Sequence, residues 1–328
     1  MAKKKMSTKC KVITSVSVIL AVVIIATFTI SGCMYSLLLR KDTILPRDSV
    51  TSMIKDQTGI KPQFMGVTPE SIKWYDENGD YERMQSDDGL MLEAKFFENE
   101  NAGHRYVVIC HGYMGRGRQM VSYTQKFLEL GFNVLTTDAR AHGNSDGDVV
   151  GMGYYEKRDL IKWINEFILK RDENAEIVLM GVSMGGATVL LTSGEEDLPS
   201  NVKAIVSDCA YTTAYDEFVS QMKDVAHLPA YPFVPIASWI SQIRGTYDFK
   251  DVDVTAAVEK SHTPTIFIHG TKDDFVPFWM LDELYNAAAC PKKKLPVEGA
   301  LHANSASKDP DLYWSSVLDF IDDYVDMK

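Results

Sequence analysis

The stretch from Ile177 to Leu191 constrains the fold of this chain more than any other. An apolar, β-branched run leads into Gly181-Val182-Ser183-Met184-Gly185, and small and helix-favouring residues follow. This pattern predicts a buried strand, a sharp turn that presents Ser183, and a helix whose dipole favours developing negative charge at the serine. Gly181 and Gly185 flank the serine. Glycine fits here because the turn is strained and neighbouring segments of the chain pass close to it. The alternative is a glycine-rich turn in which the serine is incidental.

Short apolar strands alternate with helices along most of the chain, which predicts a mostly parallel sheet flanked by helices. The 328 residues, 45% of them hydrophobic, suffice for one large α/β domain. A hairpin at 81–97 comes first. The strands predicted after it lie at 106–110, 132–137, 177–182, 202–207, 265–269 and 295–297, and the helices at 117–130, 154–170, 184–193 and 311–326.

The stretch between Ala210 and His262 breaks this alternation and is too long for a plain connection. It is rich in aromatic residues and contains Pro229, Pro232 and Pro235. We predict that residues about 211–250 form a small helical lid over the strand ends, in which Trp239 helps to select substrates. The alternative is ordinary helix packing with a longer loop.

The N-terminus has the pattern of a membrane anchor. Residues 1–11 hold five lysines, and the 28 residues from Val12 to Leu39 include no charged residue. A helix needs about 20 apolar residues to span a bilayer, and basic residues mark its cytoplasmic side. We therefore predict a cytoplasmic segment 1–11, a transmembrane signal anchor 12–39 and an extracytoplasmic body.

A lipoprotein signal peptide is the alternative to an anchor. Ile30-Ser31-Gly32-Cys33 resembles the lipobox of bacterial lipoproteins, which is cleaved before a lipidated cysteine. The apolar run continues past Cys33 through Leu37-Leu38-Leu39, which favours an uncleaved anchor. Both interpretations leave the body tethered outside the cytoplasmic membrane. Residues 40–80 are predicted to be a tether with one or two short helices, and 81–328 the main domain.

The charge distribution excludes one class of partner. Residues 1–41 hold seven of the 34 Lys and Arg residues and no acidic residue, so the rest of the chain has 27 basic and 45 acidic residues and a net charge of −18. Nucleic-acid binding needs clustered basic residues, so we expect no such partner for the body. The five cysteines form no C-x-x-C pair, and no phosphate-binding or calcium loop is complete, so neither a metal nor a cofactor is expected. The disulfide state of Cys110, Cys209 and Cys290 stays open.

Three residues at predicted strand ends could form a catalytic triad that attacks a carbonyl group. Ser183 is the candidate nucleophile, and His302, in a glycine-containing loop after the last strand, is the candidate base. Asp273 would orient the imidazole, although the adjacent Asp274 competes for that role. Backbone N–H groups of Tyr113 and Met184 would stabilise the oxyanion. Each residue also has a plain structural explanation, as a turn or surface-loop residue.

Several motifs together resemble the α/β-hydrolase superfamily, and within it the serine aminopeptidase-like branch of bacterial membrane-anchored hydrolases. The resemblance covers roughly residues 80–326 and implies an α/β-hydrolase fold, with the catalytic order Ser…Asp…His. It departs from the family pattern at Ala141, where glycine is usual, in a loop expected to support the site. The matching motifs are His111-Gly112, Asp138-Ala139-Arg140-Ala141-His142-Gly143-Asn144-Ser145, Gly181-Val182-Ser183-Met184-Gly185-Gly186, His269-Gly270-Thr271-Lys272-Asp273 with Val276-Pro277, and His302.

The function predicted from these residues is that of a membrane-anchored serine hydrolase. Ser183 would attack a carboxylic ester, or a thioester or amide, of a small-molecule or peptide acyl substrate. A peptidase or an acyltransferase would use the same triad. A tethered binding module that has kept the fold without catalysis is the alternative from another class. The substrate and the oligomeric state do not follow from the sequence.

Overall fold

A computed structural model describes residues 8–41, 67–224, 227–244 and 246–327. Its centre is an eight-stranded sheet in the order β1-β2-β4-β3-β5-β6-β7-β8. The pairs β1–β2 and β2–β4 are antiparallel, and all other neighbours are parallel. The strands are β1 (Asp80–Gln85), β2 (Met91–Phe97), β3 (Arg105–Cys110), β4 (Asn133–Thr137), β5 (Glu176–Val182), β6 (Val202–Asp208), β7 (Thr265–Gly270) and β8 (Lys292–Val297).

Helices cover both faces of the sheet. They are α1 (Thr8–Leu39), α2 (Pro69–Glu77), α3 (Val121–Glu129), α4 (Glu156–Trp163), α5 (Met184–Ser193), α6 (Ala214–Asp224), α7 (Ala230–Ile243), α8 (Val254–Lys260), α9 (Trp279–Ala287), α10 (Ser305–Lys308) and α11 (Pro310–Ile321). A 3₁₀ turn at Gly117–Met120 leads into α3, and α4 continues through a π-helical turn at Ile164–Ile168. The predicted helices over 117–130 and 154–170 are therefore present but irregular.

The core has two halves, one on each face of the sheet. In β5 the side chains of Ile177 and Leu179 join one apolar cluster, and those of Val178 and Met180 join the other. Successive side chains of a strand point to opposite faces, so a continuous apolar run is what a doubly covered strand requires. The predicted α/β-hydrolase fold class is confirmed.

The last strand is longer than predicted. β8 spans six residues, Lys292–Val297, where the sequence predicted only 295–297. It pairs with β7 alone at one edge of the sheet, and its first three residues are lysines. Charged residues on an edge strand hide the apolar signal and discourage pairing with another chain.

The N-terminal helix has two environments. α1 is long and apolar enough to cross a membrane, and from Val12 to Ile30 its large apolar side chains are exposed. Its last turns instead pack against the domain, where Tyr35 and Leu39 are buried. The predicted span 12–39 therefore includes a segment that belongs to the domain. Residues 1–7 and 42–66, which include most of the predicted cytoplasmic segment and tether, lie outside the described residues.

The insert after β6 is helical. Within the predicted lid of about 211–250, α6 and α7 form, and α7 packs along both α6 and α1. Residues 225, 226 and 245 lie outside the described residues. The role of this segment as a lid stays a prediction.

Candidate active site

Ser183 occupies a strained turn between β5 and α5. Its backbone has φ of 57° and ψ of −120°, a conformation that L-residues rarely adopt. Its N–H donates to the Asp208 carbonyl at 2.8 Å, which ties the turn to the neighbouring strand β6. A Cβ atom at Gly185 would lie 2.1 Å from the Cys110 carbonyl oxygen, so only glycine lets the chain pass there. The turn therefore depends on glycine because of a close backbone approach.

Ser183, His302 and Asp273 form one chain of hydrogen bonds. Ser183 Oγ lies 3.0 Å from His302 Nε2, and His302 Nδ1 lies 2.8 Å from Asp273 Oδ2. With a proton on Nδ1, the imidazole donates to Asp273 and presents Nε2 as an acceptor for the serine hydroxyl. The three residues follow β5, β7 and β8, whose carboxyl ends meet at one edge of the sheet. The parallel sheet thus brings together residues that lie 119 positions apart.

Asp273, rather than Asp274, faces the histidine. Asp273 is buried, and its Oδ1 accepts hydrogen bonds from the N–H groups of Phe275 and Val276. Its Oδ2 also lies 3.2 Å from Nε2 of His269. Asp274 is exposed and caps no helix, since α9 begins at Trp279 without a side-chain cap.

The two ionisable partners shift each other's pKa. Burial disfavours the charged form of Asp273 and would raise its pKa. The interactions with His302 and His269 have a larger, opposite effect, so the pKa of this carboxyl lies well below its ordinary value. Burial also disfavours the imidazolium of His302, but the Asp273 carboxylate outweighs it and raises the pKa of His302. Asp273 is therefore ionised across the neutral range and stabilises a protonated His302.

The predicted oxyanion donors flank the serine. Met184 is the first residue of α5, so its N–H stands at the positive end of the helix. Tyr113 belongs to the loop after β3, which passes close over the serine: a Cβ atom at Gly112 would lie 3.3 Å from Ser183 Cβ. The use of these two N–H groups as oxyanion donors stays a prediction.

Two histidines hold the loop that carries Tyr113. Nε2 of His142 accepts a hydrogen bond from the Met114 N–H at 3.1 Å, and Nε2 of His111 accepts one from the Ala139 N–H at 3.1 Å. The loops after β3 and β4 are therefore joined in both directions. Both imidazoles are buried and have structural roles.

The loop after β4 is held by its own motif residues. Asp138 accepts from the N–H groups of Gly117 and Asn144, and the Ser145 hydroxyl donates to the Asp138 carbonyl. Arg140 forms a buried ion pair with Asp159 and a second ion pair with Asp88. Ala141 has φ of 58°, which explains why glycine suits this position in the family pattern.

An apolar cavity of about 220 Å³ lies beside Ser183. Most of its wall comes from the end of α1, the helix α6 and the two loops after β3 and β7. Trp239, the residue predicted to select substrates, is not among the lining residues; it is half-exposed and packs edge-on against Phe28 of α1 at 6.0 Å. The cavity is lined by α6 and not by α7, so its lining gives no support to that prediction, which stays untested. The lining residues used below are Met34, Leu37, Leu38, Glu217, Phe218 and Met222.

Glu217 is a cavity residue that sequence reasoning missed. Its side chain is buried, Oε1 accepts from Gln221 Nε2 at 2.9 Å, and Oε2 has no hydrogen-bond partner in the described part of the chain. Burial raises the pKa of Glu217 to about 8. The only signal in the sequence is the i, i+4 spacing of Glu217 and Gln221, which an ordinary solvated helix face shares.

Cys209 is a second residue that was missed. Its sulfur and the ligating atoms of Asp273 and His302 lie within 4.8 Å of one another, the one grouping among the described residues with a metal-like arrangement. Burial raises the pKa of the Cys209 thiol to about 11, so the free thiol is protonated at neutral pH. Asp273 and His302 are already hydrogen-bonded to each other. Cys110, Cys209 and Cys290 are free thiols.

Comparison with known proteins agrees with this fold. A family model described as the alpha/beta hydrolase fold matches residues 106–226. The chain is 32% identical over 220 residues to the uncharacterized protein YqkD of Bacillus subtilis, across 67% of this chain and 72% of that protein. It is 24% identical to the uncharacterized membrane protein YNL320W of Saccharomyces cerevisiae, across 74% and 79% of the two chains.

A solved structure shares the architecture. The Pyrococcus furiosus esterase Pf2001 superimposes with a TM-score of 0.60 and 21% identity, over 80% of this chain and 97% of that one. The serine aminopeptidase-like branch stays a prediction, because none of these matches separates it from other branches. By its strand order, its turn at Ser183 and these relatives, the chain belongs to the α/β-hydrolase superfamily.

Proposed function

We propose that this protein is a membrane-anchored serine hydrolase that cleaves a carboxylic ester through an acyl-enzyme on Ser183. The observation that carries the proposal is the hydrogen-bond chain from Asp273 through His302 to Ser183, formed at a strained turn beside an apolar cavity. A binding module has no need of a nucleophile, a base and an orienting carboxylate in one line.

Acylation uses each group in turn. Ser183 Oγ attacks the ester carbonyl carbon while His302 Nε2 takes the hydroxyl proton, and the carbonyl π electrons move to oxygen. The N–H groups of Met184 and Tyr113 stabilise that oxyanion. Collapse of the tetrahedral intermediate breaks the bond to the alkoxy oxygen, which receives the proton from His302 and leaves as an alcohol.

Deacylation repeats these steps with water. His302 removes a proton from a water molecule, the resulting nucleophile attacks the acyl-serine carbonyl, and the same N–H groups stabilise the second oxyanion. Collapse breaks the bond to Ser183 Oγ, which takes the proton back from His302. The carboxylic acid is released and the free serine is restored.

The polarity of the cavity favours an ester over an aminoacyl amide. A substrate with a free α-amino group brings an ammonium ion that needs an ionised carboxylate nearby. Glu217 is the acidic residue in the cavity wall, and with a pKa of about 8 it is largely uncharged at neutral pH. An uncharged carboxyl can donate a hydrogen bond to an ester, whereas Glu217 would first have to lose its proton to pair with an ammonium ion.

The anchor supports an extracytoplasmic location. The exposed apolar part of α1 can cross the bilayer, and the lysines before it mark its cytoplasmic side. The helix is continuous through Cys33, and the residues just after that cysteine pack on the domain. This continuity supports an uncleaved anchor. A relative, YNL320W, is named as a membrane protein.

A fluorophosphonate probe tests the nucleophile. We expect the detergent-solubilised full chain to be labelled, because the probe reacts with an activated serine hydroxyl, and Ser183→Ala to lose the label. Ser315→Ala, at an exposed serine of α11, is the matched control and should be labelled like the wild type. Labelling that persists in Ser183→Ala, or a wild type that never reacts, would refute the proposal.

The pair Asp273 and Asp274 tests the orienting carboxylate. Asp273→Asn should lower kcat for p-nitrophenyl butyrate by a factor on the order of 10⁴, as the equivalent change does in serine proteases. Losing the carboxylate also lowers the pKa of His302, so the acid limb of the residual kcat/KM profile should move to lower pH. Asp274→Asn, at the exposed neighbour, should leave kcat and the profile unchanged. The reverse ranking of the two variants would contradict the assignment.

Because its carboxyl is buried, Glu217 should make the free energy of unfolding fall as the pH rises. Its pKa is about 4.5 in the unfolded chain and about 8 in the folded one, so between these values the folded state binds more protons. Relative to Glu217→Gln, the wild type should lose up to about 4 kcal/mol of unfolding free energy from pH 5 to pH 8. Chemical unfolding in detergent measures this difference, with Glu283→Gln at an exposed site as control. A difference that does not change with pH would show that the carboxyl is not buried in this way.

Topology can be tested by proteolysis and by one substitution. Protease added to cells freed of any wall should digest the body, because it lies outside, and should spare a tag on the N-terminus. Full protection of the body would refute this topology. Cys33→Ser should leave membrane retention intact if α1 is the anchor. If the protein is a lipoprotein instead, the variant should no longer be lipidated and cleaved at this position.

A further inference from the structure

The cavity beside Ser183 is completed by the N-terminal helix. Met34, Leu37 and Leu38 of α1 line one part of it, and Phe218 and Met222 of α6 line another part. The catalytic candidates come from the sheet edge, whereas the first part of the cavity wall comes from the helix that leads to the membrane. The anchor is therefore also part of the site.

This end of α1 is fixed to the domain by several contacts. The Val150 N–H donates to the Leu39 carbonyl at 2.8 Å, and the Lys41 N–H donates to the Asp148 carbonyl at 2.8 Å. Tyr35 and Leu39 are fully covered. Helix end and domain are thus joined by backbone hydrogen bonds as well as by apolar packing.

A further contact links α1 to the loop over the serine. The Tyr113 hydroxyl donates a hydrogen bond to the Leu38 carbonyl. Tyr113 is also the residue whose N–H is proposed to stabilise the oxyanion. The helix end therefore supports one wall of the cavity and, through Tyr113, the loop beside the reacting carbonyl.

The length of α1 sets the depth of the cavity relative to a bilayer. The 20 residues from Val12 to Ser31 cover about 30 Å, which is the hydrocarbon thickness. Met34 and Leu38 follow three to seven residues later, which places them about 5–10 Å beyond it. The polar headgroup layer occupies about 5–8 Å on each side. If the hydrocarbon layer begins at Val12, the cavity therefore lies at headgroup depth, within reach of an acyl chain in the adjacent leaflet.

α7 extends this membrane-facing surface. It packs along α1, and its exposed side chains include Tyr231, Trp239 and Ile243. Trp239 contacts Phe28 of α1, and the Arg244 guanidinium lies 5.5 Å from the centre of the Tyr35 ring. Tyrosine and tryptophan are enriched at the interface of a bilayer. Together α1 and α7 fit a domain whose cavity mouth rests on the membrane.

We propose that the substrate is a membrane lipid ester whose acyl chain lies in the cavity against Met34, Leu37 and Leu38, so that the anchor helix determines chain-length selectivity. The cavity walls are almost entirely apolar, and 220 Å³ holds about seven groups the size of a water molecule, enough for a medium-length hydrocarbon chain. The inference rests on the proposed serine-hydrolase function and names the substrate class of that site.

Substitutions in α1 test the wall. The full chain is reconstituted in phosphatidylcholine vesicles, and kcat/KM is measured for p-nitrophenyl butyrate and p-nitrophenyl decanoate. Leu37→Trp adds bulk to the wall and should lower the decanoate-to-butyrate ratio by about tenfold or more. Met34→Ala removes bulk from the wall. It should raise the ratio of kcat/KM for p-nitrophenyl palmitate to kcat/KM for p-nitrophenyl butyrate. Leu20→Trp, on the exposed part of the same helix, should leave both ratios at the wild-type value.

The outcomes separate the two proposals. If the wild type neither hydrolyses butyrate nor reacts with the fluorophosphonate probe, both the hydrolase function and the substrate class are refuted. If it does both, and Leu37→Trp and Met34→Ala give the same ratios as Leu20→Trp, the substrate class alone is overturned. Loss of probe labelling in Leu37→Trp reveals misfolding, and Met34→Ala, which adds no atoms, then decides the test.

Discussion

The candidate site depends on the strained backbone of Ser183. A φ of 57° in a serine costs free energy, and the contacts around the turn hold it in this conformation. The Ser183 N–H is bound to the Asp208 carbonyl, and Gly185 passes within contact distance of the end of β3. The turn therefore holds the hydroxyl at the sheet edge, where the loops after β7 and β8 can reach it.

The second constraint is the place of His302 between two partners. Its imidazole bridges a buried carboxylate and the serine hydroxyl, so the hydrogen-bond link from Asp273 to Ser183 runs through the ring. Two backbone N–H groups and His269 hold Asp273 in turn. A carboxylate with this many donors stays ionised and does not rotate freely. The orientation of the ring is thereby set by Asp273 and by the groups that hold this carboxylate in place.

The helix α1 has two parts with different environments, whereas the sequence predicted one membrane span. Its exposed apolar part suits a bilayer, and its last turns are core residues of the domain. A flexible tether would leave the cavity free to tumble in solution, whereas the end of α1 is bonded to the domain and fixes the direction of the helix relative to the cavity. On the proposed function, delivery of an acyl chain and formation of the pocket are tasks of one element.

Local patterns in the sequence determined the strand–turn–helix around Ser183, the parallel sheet and the apolar N-terminal helix, because strand and helix periodicity and glycine placement act over a few residues. The sequence also placed Asp273 and His302 at strand ends, but only tertiary structure decided that Asp273 and not Asp274 meets the imidazole, since backbone hydrogen bonds orient that turn. It likewise decided that Glu217 and Met34, and not Trp239, line the cavity. Helical periodicity says which residues share a face, but the packing of α1, α6 and α7 on one another determines what that face contacts.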